Sequence, residues 1–245
     1  MAPTDLLLRP ATEDYVDAVA GVQIAARAAA AMPPGIHPDH EVRAWLAAKM
    51  REDDVWLAEV DGAVAGYARM TATWLDDLYV APPYAGHGVG SALLELVKAQ
   101  RPGGFCLWVF EMNTPARGFY RNRGLVDLER TDGAANEERA PDIRMAWPGE
   151  SPLAFFRGLI DEVDEQLGDL LARRAALTRA VQDHKPDTTR DAARERAVAE
   201  AMALRAPELG VERLARIVHA IVTESHDAVP TVGATSYGGP DGRVG

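Results

Sequence analysis

Cysteine is almost absent from this sequence, and aromatic residues are few. Cys106 is the single cysteine in 245 residues, and aromatic side chains make up 7% of the chain. One cysteine excludes a disulfide framework and a cysteine-type zinc site, and we predict no metal site. No segment approaches the ~18 apolar residues of a membrane-spanning helix, and the first residues do not form a charged and then apolar leader. We therefore expect a cytoplasmic protein with no membrane partner.

Positive charge is scarce as well, and lysine is the rarer of the two basic residues. The chain has 26 basic and 37 acidic residues, a net charge of −11, which argues against nucleic acid as a partner. Only three of the 26 are lysines, Lys49, Lys98 and Lys185. Because the chain prefers arginine so strongly, the lysine at position 185 indicates a need for a compact ammonium group there.

The order of the predicted elements divides the chain into two domains. Residues 1–148 alternate strands and helices, which predicts a mixed-sheet α/β domain. The expected strands are 6–9, 55–60, 63–71, 75–80, 105–110, 125–130 and 143–147. The expected helices are 14–31, 41–51, 88–100 and 115–123.

Residues 149–151 form the predicted linker, and an all-helical domain follows over 152–229. Ser151 and Pro152 are typical of a helix start. The pair Thr188 and Asp191 has the spacing of a capping box, which predicts that the second helix begins at Thr188. Residues 230–245 are rich in Gly, Ser, Thr and Pro and are predicted to be a disordered tail.

A glycine-rich turn follows the strand predicted at 75–80 and leads into the next helix. Gly86, Gly88 and Gly90 allow backbone amides to point into the turn without obstruction by a Cβ atom. The helix N-terminus adds partial positive charge, so this unit suits a pyrophosphate.

A second segment, from Asn113 through Tyr120 to Gly124, follows a strand about 25 residues downstream. Together with the turn and the strand order, it resembles the GNAT superfamily of N-acetyltransferases over about residues 5–147. The resemblance implies acetyl-CoA as the cofactor and an amine as the acceptor. It further implies that the pantetheine arm is held by backbone groups of Leu78 and Val80. By the same resemblance the other cofactor contacts come from His87, Gly88, Gly90, Ser91 and Asn113.

The first domain also contains candidates for acid–base chemistry. In the family the tyrosine that matches Tyr120 often protonates the departing thiolate. The sequence departs from the family pattern at Ala85 and His87, where Gln or Arg is common. Asp76 and Asp77 are predicted to lie on opposite sides of their strand, so that one faces the cleft as a general base or as a group that holds the amine.

The C-terminal third places cations at helical spacing among apolar residues. Arg157, Arg174 and Lys185 share a 3–4 periodicity with Ile160, Leu167, Leu171 and Val181, which predicts a buried stripe. Cations on a packed surface require an anion, so we predict a pocket for a small polyanion. Arg174 and Lys185 are about 20° apart around a helix and roughly 16 Å along it. Arg157 is roughly 25 Å from Arg174 along the same axis, so it acts elsewhere or in a partner subunit.

The pattern of residues 152–229 resembles that of the all-helical (AroQ-type) chorismate mutases. The residues that carry the resemblance are these cations together with Asp191, Arg194, Glu195 and Ser225. The resemblance implies three helices and an intertwined homodimer, with chorismate as the substrate and no cofactor for this domain. It assigns the carboxylate contacts to Arg174 and the partner subunit's Arg157, and the ether oxygen to Lys185. Glu195 and Asp191 would hold the ring hydroxyl, while Arg194 and Ser225 would complete the wall. Prephenate formation would link the protein to the shikimate pathway and aromatic amino acid biosynthesis.

One departure leaves two alternatives open. The family places Gln or Glu four residues after the serine, whereas this chain has Val229, which lacks a donor for the ether oxygen. Loss of such a donor costs about 10²–10³ in rate. The helical domain could therefore be a weak or inactive mutase that dimerises the protein or senses a metabolite for the acetyltransferase. The same scaffold also supports isochorismate–pyruvate lyase chemistry.

Overall fold

The computed structural model describes residues 5–184 and 190–227. It divides the chain into two compact units between Gly158 and Leu159. Within the described residues, the strands are β1 Leu6–Pro10, β2 Asp54–Val60, β3 Ala63–Met70, β4 Leu75–Val80, β5 Phe105–Phe110, β6 Val126–Arg130 and β7 Asp142–Trp147. The helices are α1 Val16–Ala29, α2 Asp39–Glu52, α3 Val89–Gln100, α4 Thr114–Arg121, α5 Pro152–Gln182, α6 Ala192–Ala203 and α7 Gly210–Asp227.

The N-terminal unit contains two antiparallel sheets, in the orders β1-β2-β3-β4 and β5-β7-β6. Asp61 and Gly62 join β2 to β3 with positive φ angles of 51° and 78°, as a tight hairpin turn requires. Every predicted strand is present, and the mixed-sheet fold is confirmed. The predicted helix 14–31 is shorter, because Glu13–Tyr15 form a 3-10 turn before α1.

The two sheets meet at one point and then separate. Trp74 and Cys106 form a parallel bridge, and the Cys106 amide donates to the carbonyl of Thr73 at 2.9 Å. Beyond this bridge β4 pairs with β3 and β5 pairs with β7, and the described strands show no further pairing between β4 and β5. A cleft therefore opens between two adjacent parallel strands.

The sheets of this unit are covered by helices on two sides. On one side α3 buries Val89, Leu93, Leu94 and Val97, the spacing of a helix with one apolar face. On the other side the buried residues of α1 and α2 pack against Tyr67 and Leu57. Gly66 permits the close approach of α3 on the first side, because a Cβ atom at this position would lie 2.8 Å from the carbonyl oxygen of Tyr79 and 3.2 and 3.3 Å from the side chains of Val89 and Leu93.

The three helices of the C-terminal region differ greatly in burial. α6 and α7 pack together through Ala199, Leu214 and Val218. By contrast, none of the 31 residues of α5 is buried in the single chain. The apolar members of the predicted stripe, Ile160, Leu167, Leu171 and Val181, are thus exposed, since neither α6 nor α7 covers them. Arg174 of the same stripe is half-buried and contacts α7.

The start of the second helix also differs from the prediction. Asp191 is the N-cap of α6, and its carboxylate accepts a hydrogen bond from the Arg194 amide at 2.9 Å. The capping box had placed Asp191 inside the helix, which is wrong; Thr188 lies outside the described residues. In the part of the chain that the structure describes, no helix is long and apolar enough to cross a membrane.

Candidate active sites

The cleft between β4 and β5 opens into a cavity of about 1180 Å³. Its walls include both strands, the glycine-rich turn before α3, and α4. The register of β4 decides which backbone groups face it. Ala81 donates to the Ala65 carbonyl at 2.8 Å, and hydrogen-bonded pairs alternate along an antiparallel ladder. Leu78 and Val80, opposite Ala68 and Gly66, therefore turn their N–H and C=O groups away from β3 and toward the cleft.

The turn before α3 is built to expose amides. Gly86 and Gly88 have φ angles of 78° and 91°, and Gly88 is the N-cap of α3. Because that N-cap has no side chain, the first amides of α3 keep their donors unsatisfied by a cap. Gly90 faces Phe119 of α4, and a Cβ built at Gly90 would lie 3.6 Å from the ring, an ordinary van der Waals contact.

Asn113 and Tyr120 mark the two ends of α4, and both line the cavity. The Asn113 side chain accepts a hydrogen bond from the Ala116 amide at 3.2 Å and caps the helix. Tyr120 is buried, and that burial raises the pKa of its phenol well above the usual range. A phenol with a raised pKa keeps its proton at neutral pH, as a general acid must.

A bulge in β4 changes the expected placement of the two aspartates. Arg69 pairs with Asp77 and Met70 pairs with Leu75, so Asp76 is the extra residue. Both carboxylates consequently approach the same guanidinium: Asp77 at 2.6 Å and Asp76 at 3.9 Å from Arg69 nitrogens. The prediction that they lie on opposite sides was wrong. Asp77 is buried and engaged with Arg69, whereas Asp76 is exposed at the cavity.

In the C-terminal unit, Arg174 of α5 contacts Ser225 of α7. Arg174 Nη1 donates to Ser225 Oγ at 2.9 Å and to the Ile221 carbonyl at 3.3 Å. Ser225 is buried, and its hydroxyl donates to the same carbonyl at 2.6 Å. Thus a cation and a hydroxyl that are 51 residues apart in sequence meet at one place.

Glu195 of α6 is held by a second arginine. Arg190 donates to both Glu195 oxygens, at 2.9 and 2.8 Å, and also to Thr223 Oγ1 at 2.9 Å. His219 Nδ1 lies 3.1 Å from the same guanidinium. The hydrogen bonds from Arg190 lower the pKa of the Glu195 carboxyl, so this group is an anion at neutral pH.

Two stretches of the chain match known family models. Residues 51–125 match the acetyltransferase (GNAT) domain model, and residues 156–228 match the model for chorismate mutase type II. The chain carries a GNAT acetyltransferase domain and a type II chorismate mutase domain. The glycine-rich turn lies inside the first match, and Arg157, Arg174 and Ser225 lie inside the second.

The acetyltransferase domain has curated relatives. The chain is 33% identical over 96 residues to the peptidyl-lysine N-acetyltransferase YiaC of Escherichia coli, covering 38% of this chain and 62% of that protein. It is 29% identical over 98 residues to the peptidyl-lysine N-acetyltransferase YjaB of Salmonella typhimurium, covering 40% and 67%. The chain therefore matches less than two thirds of the length of YiaC.

A solved structure shows the same fold. The GCN5-related N-acetyltransferase from Rhodopseudomonas palustris superposes with a TM-score of 0.52 at 21% identity, covering 60% of this chain and 98% of that one. The acetyltransferase fold of this chain therefore matches nearly the full length of that structure.

In the acetyltransferase domain, most of the predicted site residues come together. Those that line the cavity are Leu78, Val80, Gly88, Gly90, Ser91, Asn113 and Tyr120. His87 is exposed and is not part of the cavity wall. Arg123, which was not among the predicted site residues, also lines the cavity and donates to Ser91. Its basic character between Tyr120 and Gly124 was the available signal.

In the mutase domain, the described structure brings together only part of the predicted set. Arg174 meets Ser225, and Asp191 caps the helix that carries Glu195. Arg194 and Arg157 are exposed, and the described residues provide no hydrogen bond to either side chain. Arg190, which contacts Glu195 and Thr223, was not among the predicted site residues. Lys185 and Val229 lie outside the described residues.

Proposed function

We propose that the N-terminal domain transfers an acetyl group from acetyl-CoA to a primary amine. The observation that best supports this proposal is the separation of β4 from β5 beside a glycine-rich turn. The open edge of β4 offers the backbone groups of Leu78 and Val80, and the turn offers the first amides of α3. A cavity of about 1180 Å³ with polar groups at both places fits a long cofactor with an amide-containing arm and phosphates.

When bound, acetyl-CoA supplies the acetyl thioester for this reaction. The amine nitrogen forms a bond to the acetyl carbon, the carbon–sulfur bond breaks, and the amine loses a proton. Tyr120 holds a proton at its hydroxyl, and we assign it the protonation of the departing sulfur. Asp76, exposed at the cavity, is our candidate for binding the incoming cation or accepting its proton.

For the acceptor we propose a lysine side chain of a protein or peptide. Two relatives are named as peptidyl-lysine N-acetyltransferases, and Asp76 and Asp142 give the cavity acidic groups beside Glu138, which is paired with Arg27. The test is incubation of the purified protein with acetyl-CoA and lysine-containing peptides, followed by mass spectrometry. Acetylation of lysine side chains is expected; acetylation of the peptide α-amine alone would contradict the lysine proposal.

We propose that the C-terminal domain converts chorismate to prephenate in the cytoplasm. The observation that best supports this proposal is the contact of Arg174 with Ser225, which closes one end of a site where α5 and α7 come into contact. The reaction is an intramolecular Claisen rearrangement, in which a carbon–oxygen bond breaks, a carbon–carbon bond forms and no proton is exchanged. The protein must hold a dicarboxylate in the reactive shape and stabilise charge on the ether oxygen.

The proposed roles follow from the residue types. Arg174 binds a carboxylate, with bidentate geometry available to its guanidinium. Glu195 accepts a hydrogen bond from the ring hydroxyl, and Ser225 and Arg194 complete the wall. Lys185 is assigned to the ether oxygen. The test is turnover of chorismate with identification of the product.

The mutase site also needs a second chain, and we propose a homodimer through α5. Its large apolar side chains remain 36–60% exposed between Ile160 and Val181, although ordinary packing would bury them. They are Ile160, Val163, Leu167, Leu170, Leu171, Leu177 and Val181, which we call the α5 stripe. A second copy of α5 presents the same stripe, so twofold association buries both. In that dimer the partner's Arg157 completes the site.

A further inference from the structure

Arg123 is a half-buried cation whose contacts are all uncharged. Its Nη2 donates to Ser91 Oγ at 2.6 Å, and its Nη1 donates to the Phe119 carbonyl at 3.0 Å. The guanidinium carbon lies 4.0 Å from the centre of the Phe119 ring. These contacts fix the position of the charge without neutralising it.

The other buried or half-buried basic side chains of the N-terminal unit are neutralised by carboxylates. Each has a carboxylate oxygen within 4.0 Å, and they are Arg9, Arg27, Arg43, Lys49, Arg69, Lys98, Arg101, Arg117 and Arg144. Among the residues from 5 to 184 and 190 to 227, no carboxylate lies this close to Arg123. Partial burial of an uncompensated charge is unfavourable, so Arg123 is the exception that requires an external anion.

The position of Arg123 identifies the kind of anion. Arg123 lines the cavity together with Gly88, Gly90 and Ser91, and Ser91 lies in the first turn of α3. Unsatisfied amides at the start of a helix and a guanidinium are both suited to phosphate oxygens. The contact with Ser91 holds the cation beside those amides.

We propose that Arg123 binds the diphosphate of the cofactor and sets the preference of the domain for a phosphorylated acyl carrier. The proposal rests on the acetyl-CoA function proposed above and adds to it a specific residue. Ser91 holds the guanidinium in place by accepting its hydrogen bond, and the Phe119 ring supports its flat face. The charge is thereby preorganised before the cofactor arrives, which reduces the cost of binding.

Three acetyl carriers distinguish the contribution of the diphosphate to binding from that of the 3′-phosphate. Acetyl-CoA has the diphosphate and the 3′-phosphate, acetyl-3′-dephospho-CoA keeps only the diphosphate, and acetyl-pantetheine has neither. Their dissociation constants are measured by calorimetry with the full-length protein, the Arg123→Met variant and the Arg123→Lys variant. Arg121→Met is the matched control, because Arg121 is the last residue of α4, two residues before Arg123, is exposed and pairs with Asp127.

Arg123→Met should weaken acetyl-CoA and acetyl-3′-dephospho-CoA equally, by about 10- to 100-fold, and leave acetyl-pantetheine unchanged. Arg123→Lys should keep part of the affinity, and Arg121→Met should match the wild type. A loss confined to acetyl-CoA, a loss that extends to acetyl-pantetheine, or no loss would each overturn the diphosphate assignment. Failure of the wild type to bind acetyl-CoA would instead reject the acetyltransferase function.

Discussion

Arg174 of α5 and Ser225 of α7 are joined by a hydrogen bond of 2.9 Å, although 51 residues separate them in sequence. This bond fixes the guanidinium at the point where two helices of the mutase domain meet. Arg174 has its remaining nitrogens available for a substrate carboxylate, and Ser225 is buried beside it. The proposed site is therefore partly preorganised within a single chain.

Substitution of Arg174 tests the carboxylate contact. Arg174→Met should lower kcat/KM for chorismate by at least about 100-fold, because a charged and oriented donor is lost from a bound dicarboxylate. The Kd for acetyl-CoA should not change. Arg173→Met is the matched control, since Arg173 is the exposed neighbour on the same helix. Equal turnover by the Arg174 and Arg173 variants would remove Arg174 from the site.

Arg190 is expected to position Glu195 and to set the pH range of the mutase. Its hydrogen bonds lower the pKa of Glu195, with smaller contributions from His219 and Arg174. The carboxylate is therefore ionised to lower pH than an ordinary glutamate, and the stability from this pair is lost as pH falls through the lowered pKa. Arg190→Met should shift the acidic limb of kcat/KM for chorismate to higher pH.

The control for this shift is Arg196→Met, because Arg196 pairs with Glu200 and Glu212 on exposed helix faces. The pH profile of that variant should match the wild type. If the acidic limb of the Arg190 variant stays in place while its overall rate falls, Arg190 is merely structural and the positioning role is rejected.

Tyr120 is expected to act on the chemical step of acetyl transfer. Tyr120→Phe should lower kcat by about 10²-fold or more, the usual contribution of a general acid, with little change in the Kd for acetyl-CoA. Because burial raises the pKa of Tyr120, wild-type kcat should not decline through Tyr120 ionisation near pH 10. Tyr84→Phe, a half-buried tyrosine outside the cavity wall, is the control. A Tyr120→Phe variant with unchanged kcat would exclude the assigned role.

The α5 stripe is expected to form the dimer interface. Leu170→Glu places a charge on a surface that the second copy should bury, so sedimentation velocity should report a monomer and chorismate turnover should fall. Leu204→Glu is the control, since Leu204 is 87% exposed at the end of α6. A Leu170→Glu protein that remains dimeric would place the interface elsewhere.

Mixed dimers test the origin of Arg157 in the site. Arg157→Ala and Arg174→Ala subunits should each be inactive as mutases. When the two are mixed and allowed to exchange, one of the two sites in each mixed dimer receives both wild-type arginines, so activity should reappear. Absence of any recovery after confirmed subunit exchange would show that Arg157 does not act across the dimer.

The sequence predicted the elements well because their signals are local. Hairpin chemistry at Asp61 and Gly62, the apolar face of α3 and the start of α5 at Pro152 all depend on neighbouring residues. The burial of α5 could not be predicted in the same way. Its stripe has the pattern of a packed face, but burial depends on a surface that neither α6 nor α7 provides.

The details of the two sites depend on tertiary contacts that no spacing rule contains. The bulge at Asp76 placed both aspartates near Arg69, whereas simple alternation had separated them. Arg190 reaches Glu195 five residues ahead and also contacts α7, so its role emerges only when the helices are assembled. Arg123 was missed for the same reason, because its partner Ser91 lies 32 residues away.

The most direct measurement is chorismate turnover by the purified full-length protein, with the product identified by NMR. We expect prephenate as the product, with Arg174→Met strongly reduced and Arg173→Met unaffected. Formation of prephenate would establish catalysis in a chain that has Val229 in place of the usual donor. If chorismate binds but remains unchanged, the helical domain is a dimerising or sensing module, and the account of a two-activity enzyme is wrong.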